Sequence, residues 1–350
     1  VFKKQLLNES AEEFGAWLRA QEVPLYRARQ ILRWVFERRA ESFEGMTDVP
    51  RALRDLLERD WQIFSATSAH ESVAPDGTEK LLITWPDTTR VETVLLHEAD
   101  RHTVCVSTQV GCGMGCVFCA SGLKGIERNL STGELIEQVL RMRNRLPEAE
   151  TLSNIVVMGM GESLANIDNL LRALDRICSA EGLGLSPRRV TISTVGLPEK
   201  IRQLAALDRP YHLAVSLHAP TEELRNELVP INDKIGLTAV IDAAKEYFEK
   251  TGRQVTYEYV LLSGVNDRLE HGAALGRLLA RMKGHVNLIP YNPVEGLPFA
   301  RPSTEAVRNF VEEVRRFGVS VTVRKTKGQP IDAACGQLRK RSEEAQGSAV

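Results

Sequence analysis

The sequence predicts an α/β protein whose larger part is an open, partial (β/α)6 barrel of the TIM type, preceded by a small helical domain and a β-hairpin extension. Three observations predict it. Strand-like runs alternate with amphipathic helical stretches from residue 102 onward, and the first 62 residues carry only helical periodicity. Between these regions short strands are broken by Pro75, Asp76, Gly77 and again by Pro86, Asp87. The expected boundaries are 1–62, 63–100 and 101–340, with a disordered tail over 341–350.

In the N-terminal part Phe14, Trp17 and Leu18 recur at helix spacing, as do Ile31, Val35 and Phe36, with Pro24 and Pro50 as punctuation. Between residues 19 and 39, six arginines (Arg19, Arg27, Arg29, Arg33, Arg38, Arg39) stand against Glu22 and Glu37. Such an excess fits an RNA-contacting module, and equally a solvated helix face.

The strands expected in the barrel are His102–Ser107, Asn154–Met158, Arg189–Ser193, His212–Ser216, Gln254–Leu262 and His285–Ile289. Helical stripes separate them: Leu135, Val139, Met142 and Leu146 form one, and Val307, Phe310, Val311, Val314 and Phe317 another. Ile167, Leu170, Leu171, Leu174, Ile177 and Cys178 share one face, so Cys178 is expected to pack in the core. By analogy with TIM barrels, function should gather at the C-terminal ends of the strands.

Composition excludes several classes. No run approaches the roughly 18 apolar residues of a bilayer span, and the first residues, with Lys3, Lys4, Asn8 and Glu9, lack the apolar stretch of a signal peptide. A cytoplasmic location without membrane attachment is the expectation. A net charge of -1 provides no global basic field, so a nucleic-acid partner would have to be met by local patches. Six cysteines in 350 residues, three of them clustered, suggest metal or redox chemistry rather than a disulfide scaffold.

The strongest motif is Gly111-Cys112-Gly113-Met114-Gly115-Cys116-Val117-Phe118-Cys119. Its CxxxCxxC spacing lets one loop place three thiolates on three corners of a 4Fe-4S cluster, and its glycines permit the tight backbone. The fourth iron then stays open for the amino and carboxylate groups of S-adenosylmethionine (SAM). A zinc site is the alternative, with Cys105 or His102 as fourth ligand. The aromatic Phe118 before the third cysteine and the barrel behind it match the radical SAM pattern. Gly161 and Glu162, in Gly159-Met160-Gly161-Glu162, follow the second core strand and could hold the SAM ammonium, or form a plain strand-to-helix turn. Ser193, Ser216, Leu217, His218 and Asn292 also end core strands and are candidate SAM contacts or ordinary turn residues.

Several motifs in order carry a resemblance: Arg27-Ala28-Arg29-Gln30, the run from Cys105 through the three cysteines, Arg128-Asn129-Leu130, the Gly-Met-Gly-Glu turn, Asn287-Leu288-Ile289-Pro290-Tyr291-Asn292-Pro293, and Asp332-Ala333-Ala334-Cys335-Gly336-Gln337-Leu338. Together they resemble the RlmN/Cfr family of radical SAM RNA adenine methyltransferases, over nearly the whole chain. The resemblance implies a 4Fe-4S cluster, two SAM per turnover, and methylation of adenine C2 in 23S rRNA and tRNA, with C8 methylation as the Cfr-like alternative. It further implies an external electron donor such as flavodoxin or ferredoxin. Cys335 resembles the cysteine that a first SAM methylates, Cys105 its disulfide partner, and Glu92 the proton acceptor. A second SAM supplies the radical that removes hydrogen from the S-methyl group, and the resulting carbon radical adds to adenine. Ser163 departs from the family, which commonly has proline there.

The residues themselves support part of this. Cys105 shares a strand face with Thr103 and Ser107 rather than with Val104 and Val106. Cys335 lies between Arg324, Lys325 and Lys327 upstream and Arg339, Lys340 and Arg341 downstream, basic surroundings that suit phosphate. Without the resemblance, Cys335 reads equally as a stray thiol and Glu92 as an exposed strand carboxylate. The alternative from another class is a zinc-stabilised RNA-binding protein without catalysis.

Overall fold

The computed structural model describes residues 3–207 and 209–338, so Arg339, Lys340, Arg341 and the tail expected over 341–350 lie outside the described residues. Strand β1 (Lys4–Gln5) pairs with β2 (Trp61–Gln62) and closes the N-terminal module around α1 (Ala11–Ala20), α2 (Tyr26–Phe36) and α3 (Arg51–Asp60). Helix α1 starts at a reciprocal capping box, Ser10 with Glu13, which satisfies two otherwise orphaned amides. Phe14, Leu18, Ile31, Val35 and Phe36 are buried, as their spacing predicts.

The segment expected as an extension is continuous with the barrel. Strands β3 (Ser68–Val73), β4 (Glu79–Thr84) and β5 (Arg90–Glu98) form an antiparallel meander, and β5 turns directly into β6 (Arg101–Cys105), pairing Val94 with Cys105. After β6 comes a small hairpin, β7 (Gln109–Gly111) with β8 (Ile126–Asn129), and then helix α4 (Thr132–Arg145). The chain proceeds through β9 (Asn154–Val157), α5 (Ile167–Cys178), β10 (Val190–Thr194), α6 (Pro198–Ala205) and β11 (His212–Ser216). Helices α7 (Glu222–Leu228), α8 (Asn232–Ile235) and α9 (Leu237–Thr251) lead to β12 (Val255–Leu261), α10 (Leu269–Leu279), β13 (Gly284–Pro290), α11 (Thr304–Arg315) and β14 (Ser320–Val323).

Among the described residues these strands make one ten-stranded sheet in the order β14-β13-β12-β11-β10-β9-β6-β5-β4-β3. Strand β6 and β9 to β14 run parallel and are joined by helical crossovers, which gives the expected open α/β barrel. Six of the parallel strands match the expected runs to within two residues. Strand β14 was not expected, although Val319, Val321 and Val323 alternate with polar residues there; it lies at the edge of the sheet, and only Val321 of its four residues is buried. The Leu135 and Phe310 stripes lie against the sheet, and Cys178 is partly buried at the edge of the core. Among the described residues no helix is long and apolar enough to cross a membrane.

Arginines dock the N-terminal module on the barrel. Arg143 of α4 donates to the carbonyls of Val35 (3.1 Å) and Phe36 at the end of α2. In return Arg39 donates to Leu146, Pro147 (3.2 Å) and Glu150 (3.1 Å) beyond the end of α4. Each guanidinium thus supplies donors to carbonyls that a helix end leaves open. Arg39 therefore has a structural task, whereas Arg29 pairs with Glu181 and Arg33 with Glu37 on the exposed surface.

Replacing Arg143 by Met keeps the bulk and removes the donors, leaving buried carbonyls unsatisfied at about 1–3 kcal/mol. Arg143→Met is expected to lower the urea midpoint and to speed proteolytic cleavage between α2 and α3, while iron and sulfide content stay unchanged. Unaltered cleavage would assign the docking to apolar contacts instead.

Candidate active site

The three clustered cysteines lie on a loop fixed at both ends. The amide of Cys112 donates to the Gly125 carbonyl (2.9 Å) across the β7–β8 hairpin, and that of Val117 to the Leu228 carbonyl (3.1 Å). Gly111 sits at φ +76°, and a Cβ there would fall 2.1 Å from the Gly125 oxygen, so only glycine fits. Phe118 anchors the loop in a small apolar cluster with Val195, Leu228, Leu262 and Tyr291 at the barrel mouth, and packs edge-on against His218 at 4.8 Å. The thiols of Cys112, Cys116 and Cys119 line one cavity of ≈150 Å³ at the C-terminal ends of the strands. Burial raises the pKa of all three, foremost among its causes. Three such thiols around one cavity fit an iron-sulfur cluster, whose irons would compensate the thiolate charge.

Gly161, Glu162, Ser193, Ser216, His218 and Asn292 line the same cavity. Gly161 is at φ +97°, with Gln109 2.5 Å from where a Cβ would stand. The Glu162 carboxylate is engaged by main chain: it accepts from the amides of Leu164 (3.0 Å) and Val195 (2.9 Å) and so ties the ends of β9 and β10 together. Burial, the largest cause, still raises its pKa. Ser193 and Ser216 touch through their hydroxyls at 3.3 Å. Ser163, the departure from the family, donates its hydroxyl to the Ser193 carbonyl. Leu217 does not reach the cavity: its side chain is fully buried in the main core, and its carbonyl accepts from Arg225 (3.1 Å). The amide side chain of Asn292 donates to the Cys335 carbonyl (3.3 Å), which places it as an anchor of that segment.

His218 adopts a left-handed backbone at φ 60°. Its Nδ1 accepts from the Val260 amide (3.1 Å), which leaves Nε2 to carry the ring proton. Burial, with Arg225 adding to it, pushes its pKa down to about 3, so the ring is neutral at physiological pH.

Cys335 lies where this cavity meets a second one of ≈430 Å³ inside the barrel. The second cavity is lined by Cys105, Thr103, Arg101, Arg324, Lys325 and Lys327, among others. Cys105 does face inward with Thr103, but it is buried, and burial followed by the nearby Cys335 raises its pKa to about 12. Glu92 is not an exposed strand carboxylate. On β4 Leu81 and Ile83 enter the main core, Lys80 lies on the other face, and Glu92 forms a buried ion pair with that lysine at 2.8 Å. Lys80 also reaches the Asp332 carbonyl at 3.5 Å, so the pair lies beneath the Cys335 segment and outside both cavity linings. His102, named above as a possible zinc ligand, points away from the cysteines and binds His97 and Glu150.

Two residues escaped the sequence reading. Arg225 is fully buried and donates to the carbonyls of Leu217, Ser216 (3.3 Å) and Val195 and to Asn232, fixing the ends of β10 and β11. Arg324, read only as basic surroundings, lines both cavities; Cys335 and then Glu258 raise its pKa against burial. A basic residue directly after an unexpected strand was the only available signal.

Comparison with known proteins agrees with this arrangement. Residues 106–273 match the model of the radical SAM superfamily, and residues 4–63 that of the ribosomal RNA large subunit methyltransferase N-terminal domain. A probable dual-specificity RNA methyltransferase RlmN of Rhodopirellula baltica is 54% identical over 97% of this chain and 91% of its own length. A protein of the same description from Carboxydothermus hydrogenoformans is 42% identical over 96% and 98%. Among solved structures, a radical SAM methyltransferase from Sphaerobacter thermophilus superposes with a TM-score of 0.94 at 43% identity, over 96% of this chain and 99% of that one.

The lowered pKa of His218 makes stability depend on pH. The unfolded chain protonates this residue near its ordinary value of 6.5 and the folded chain only near 3, so stability is lost as pH falls through that window. By pH 5 the loss amounts to about 2 kcal/mol. Asparagine tolerates the left-handed backbone and does not titrate. His218→Asn is therefore expected to flatten the fall in urea midpoint of cluster-free protein between pH 7.5 and 5; an unchanged slope would mean that the ring protonates in the folded state.

Proposed function

Because the chain belongs to the RlmN family of radical SAM RNA methyltransferases, we propose that it methylates C2 of adenine in 23S rRNA and in tRNA, with Cys335 as methyl carrier and Cys105 as resolving thiol. Members of the radical SAM family use a 4Fe-4S cluster and SAM, and Cys112, Cys116 and Cys119 would hold the cluster here. When bound, these groups supply a methyl group and a hydrogen-abstracting radical. The observation that carries the reading is the position of Cys335, at the junction of the cavity lined by the cluster cysteines and the cavity lined by Cys105.

On this reading the Cys335 sulfur takes the methyl group and presents its carbon to the base. Glu92, held by Lys80 beneath the Cys335 segment, accepts the proton lost from the adenine carbon as that segment shifts to admit the base, and the remaining electron passes back to an external carrier. Enzyme and RNA are then joined through one carbon. The Cys105 thiolate attacks the Cys335 sulfur, the Cys335 sulfur–carbon bond breaks, the carbon departs with that electron pair and takes up a proton to become the methyl group, and the disulfide closes. His218 offers its Nε2 proton, and Ser193 and Ser216 their hydroxyls, to SAM in the upper cavity. Arg29 and Arg33, on the exposed face of α2, contribute phosphate contacts, and flavodoxin or ferredoxin supplies electrons.

Cys105→Ala is expected to accumulate protein covalently attached to RNA, seen as a nuclease-sensitive shift on a denaturing gel, with turnover stopping at about one per chain. Cys335→Ala and the double variant should show no shift. Normal turnover by Cys105→Ala would remove it from the mechanism. Nucleoside mass spectrometry of rRNA and tRNA from cells with and without the gene tests the substrate and position; a methyl group at C8 would move the chain to the Cfr-like branch. Arg29→Ala with Arg33→Ala should weaken RNA binding and flatten its dependence on salt.

A further inference from the structure

Away from the cysteines, at the start of β6, the sheet brings two histidines together. His97 of β5 stands directly opposite His102 of β6, and their rings meet edge to face with Nδ1 3.1 Å from Nδ1. The other nitrogen of each ring is held by a carboxylate. His97 Nε2 lies 2.9 Å from Glu79 Oε1, and His102 Nε2 lies 2.8 Å from Glu150 Oε2. An ionised carboxylate can only accept, so both Nε2 atoms carry hydrogen. Both Nδ1 lone pairs therefore face each other across 3.1 Å, a repulsive arrangement unless a cation lies between them.

We propose that His97 and His102 bind one divalent transition-metal ion through their Nδ1 atoms, a site separate from the iron-sulfur cluster and independent of the reaction proposed above. Two nitrogens 3.1 Å apart, each about 2.05 Å from a metal, subtend roughly 100° at it, close to the angles of tetrahedral and octahedral coordination. A carboxylate on the far nitrogen of each ring is the arrangement that fixes the tautomer and raises the basicity of metal-bound histidines. Two carboxylates also match the charge of a divalent ion better than that of a proton, and Arg145, the nearby guanidinium that pairs with Glu79, is shared with Glu71. The main chain is held as well: His102 donates its amide to Ser153 Oγ (3.0 Å), and Lys327 donates to the His97 carbonyl (2.5 Å).

Among the described residues no three His, Cys, Asp or Glu side chains converge as ligands of one ion, so water completes this two-nitrogen site. The side chains of His97 and His102 are 29% and 16% exposed, which gives that water access. Imidazole ligands select zinc, nickel or cobalt over magnesium or calcium, which prefer oxygen. The ligands meet only when β5 and β6 are in register, so the ion would clip this turn of the sheet and favour the folded chain.

The test uses the cluster-loaded protein, dialysed to equilibrium against micromolar zinc chloride, with zinc, iron and sulfide measured together. The expected result is one zinc per chain at unchanged iron and sulfide, with no comparable uptake of magnesium. His97→Gln and His102→Gln should abolish that uptake, and Glu150→Gln, on a half-exposed side chain, should weaken it about tenfold. Zinc should raise the melting temperature of the wild type and of none of the histidine variants. Zinc uptake that survives both histidine substitutions would assign the ion elsewhere and overturn the proposal. Absence of uptake by the wild type would overturn it too, leaving the rings bridged by a proton.

Discussion

The carbonyl of Gly336 accepts the amide of Ala120, at 2.9 Å, one residue beyond the third clustered cysteine. Two residues on, the Leu338 carbonyl accepts the Ser121 hydroxyl at 2.6 Å. Gly336 can turn its carbonyl this way because it occupies φ +84°. These bonds join the segment carrying Cys335 to the loop carrying Cys112, Cys116 and Cys119, although more than 200 residues of chain separate them. The rest of the site depends on the junction. With it, Cys335 borders both cavities; without it, the segment would rest on Asn292, on Lys80, on the Gln337–Pro293 bond and on Asp76, which accepts the Gly328 amide at 2.8 Å, none of them on the cysteine loop.

Around that junction, buried polar groups fix the ends of the strands. Glu162 takes amides from the loops after β9 and β10, Arg225 gives donors to carbonyls after β10 and β11, and Asn266 bonds the His218 carbonyl (2.8 Å) and the Leu262 amide (2.7 Å). Each satisfies main chain that a strand leaves open where it stops, in a place where water cannot. Loss of one partner would strand the others at the full cost of desolvation. The mouth of the barrel is thereby preorganised: side chains facing the cavity stand on main chain that Glu162, Arg225 and Asn266 hold in place.

The barrel was legible because its strands and helices have different periods, and because a parallel sheet covered on its outer face needs apolar stretches such as Ile155-Val156-Val157 and Leu213-Ala214-Val215. Strand β14 has no such run, since it is an edge strand whose residues are mostly exposed. The cluster loop was legible for another reason: its spacing is local, and local chemistry survives without knowledge of the fold. Contacts made across the sheet left no local trace. Lys80 and Glu92 pair from adjacent strands, and neither position reveals the other. Leu217 shows the converse error, where a place beside Ser216 and His218 suggested a cavity contact although the chain turns its side chain into the core.

The N-terminal arginines show how composition misleads when tasks are mixed. Arg39 completes the end of α4 and Arg38 lies over the Trp34 ring at 4.4 Å, so both are spent on structure. Arg29 and Arg33 keep only exposed ion pairs, which solvent and salt weaken. An exposed pair of that strength is readily exchanged for a phosphate. Of the six-arginine excess, Arg39 holds the module on the barrel, Arg38 packs within the module, and Arg29 and Arg33 are left available to a polyanion.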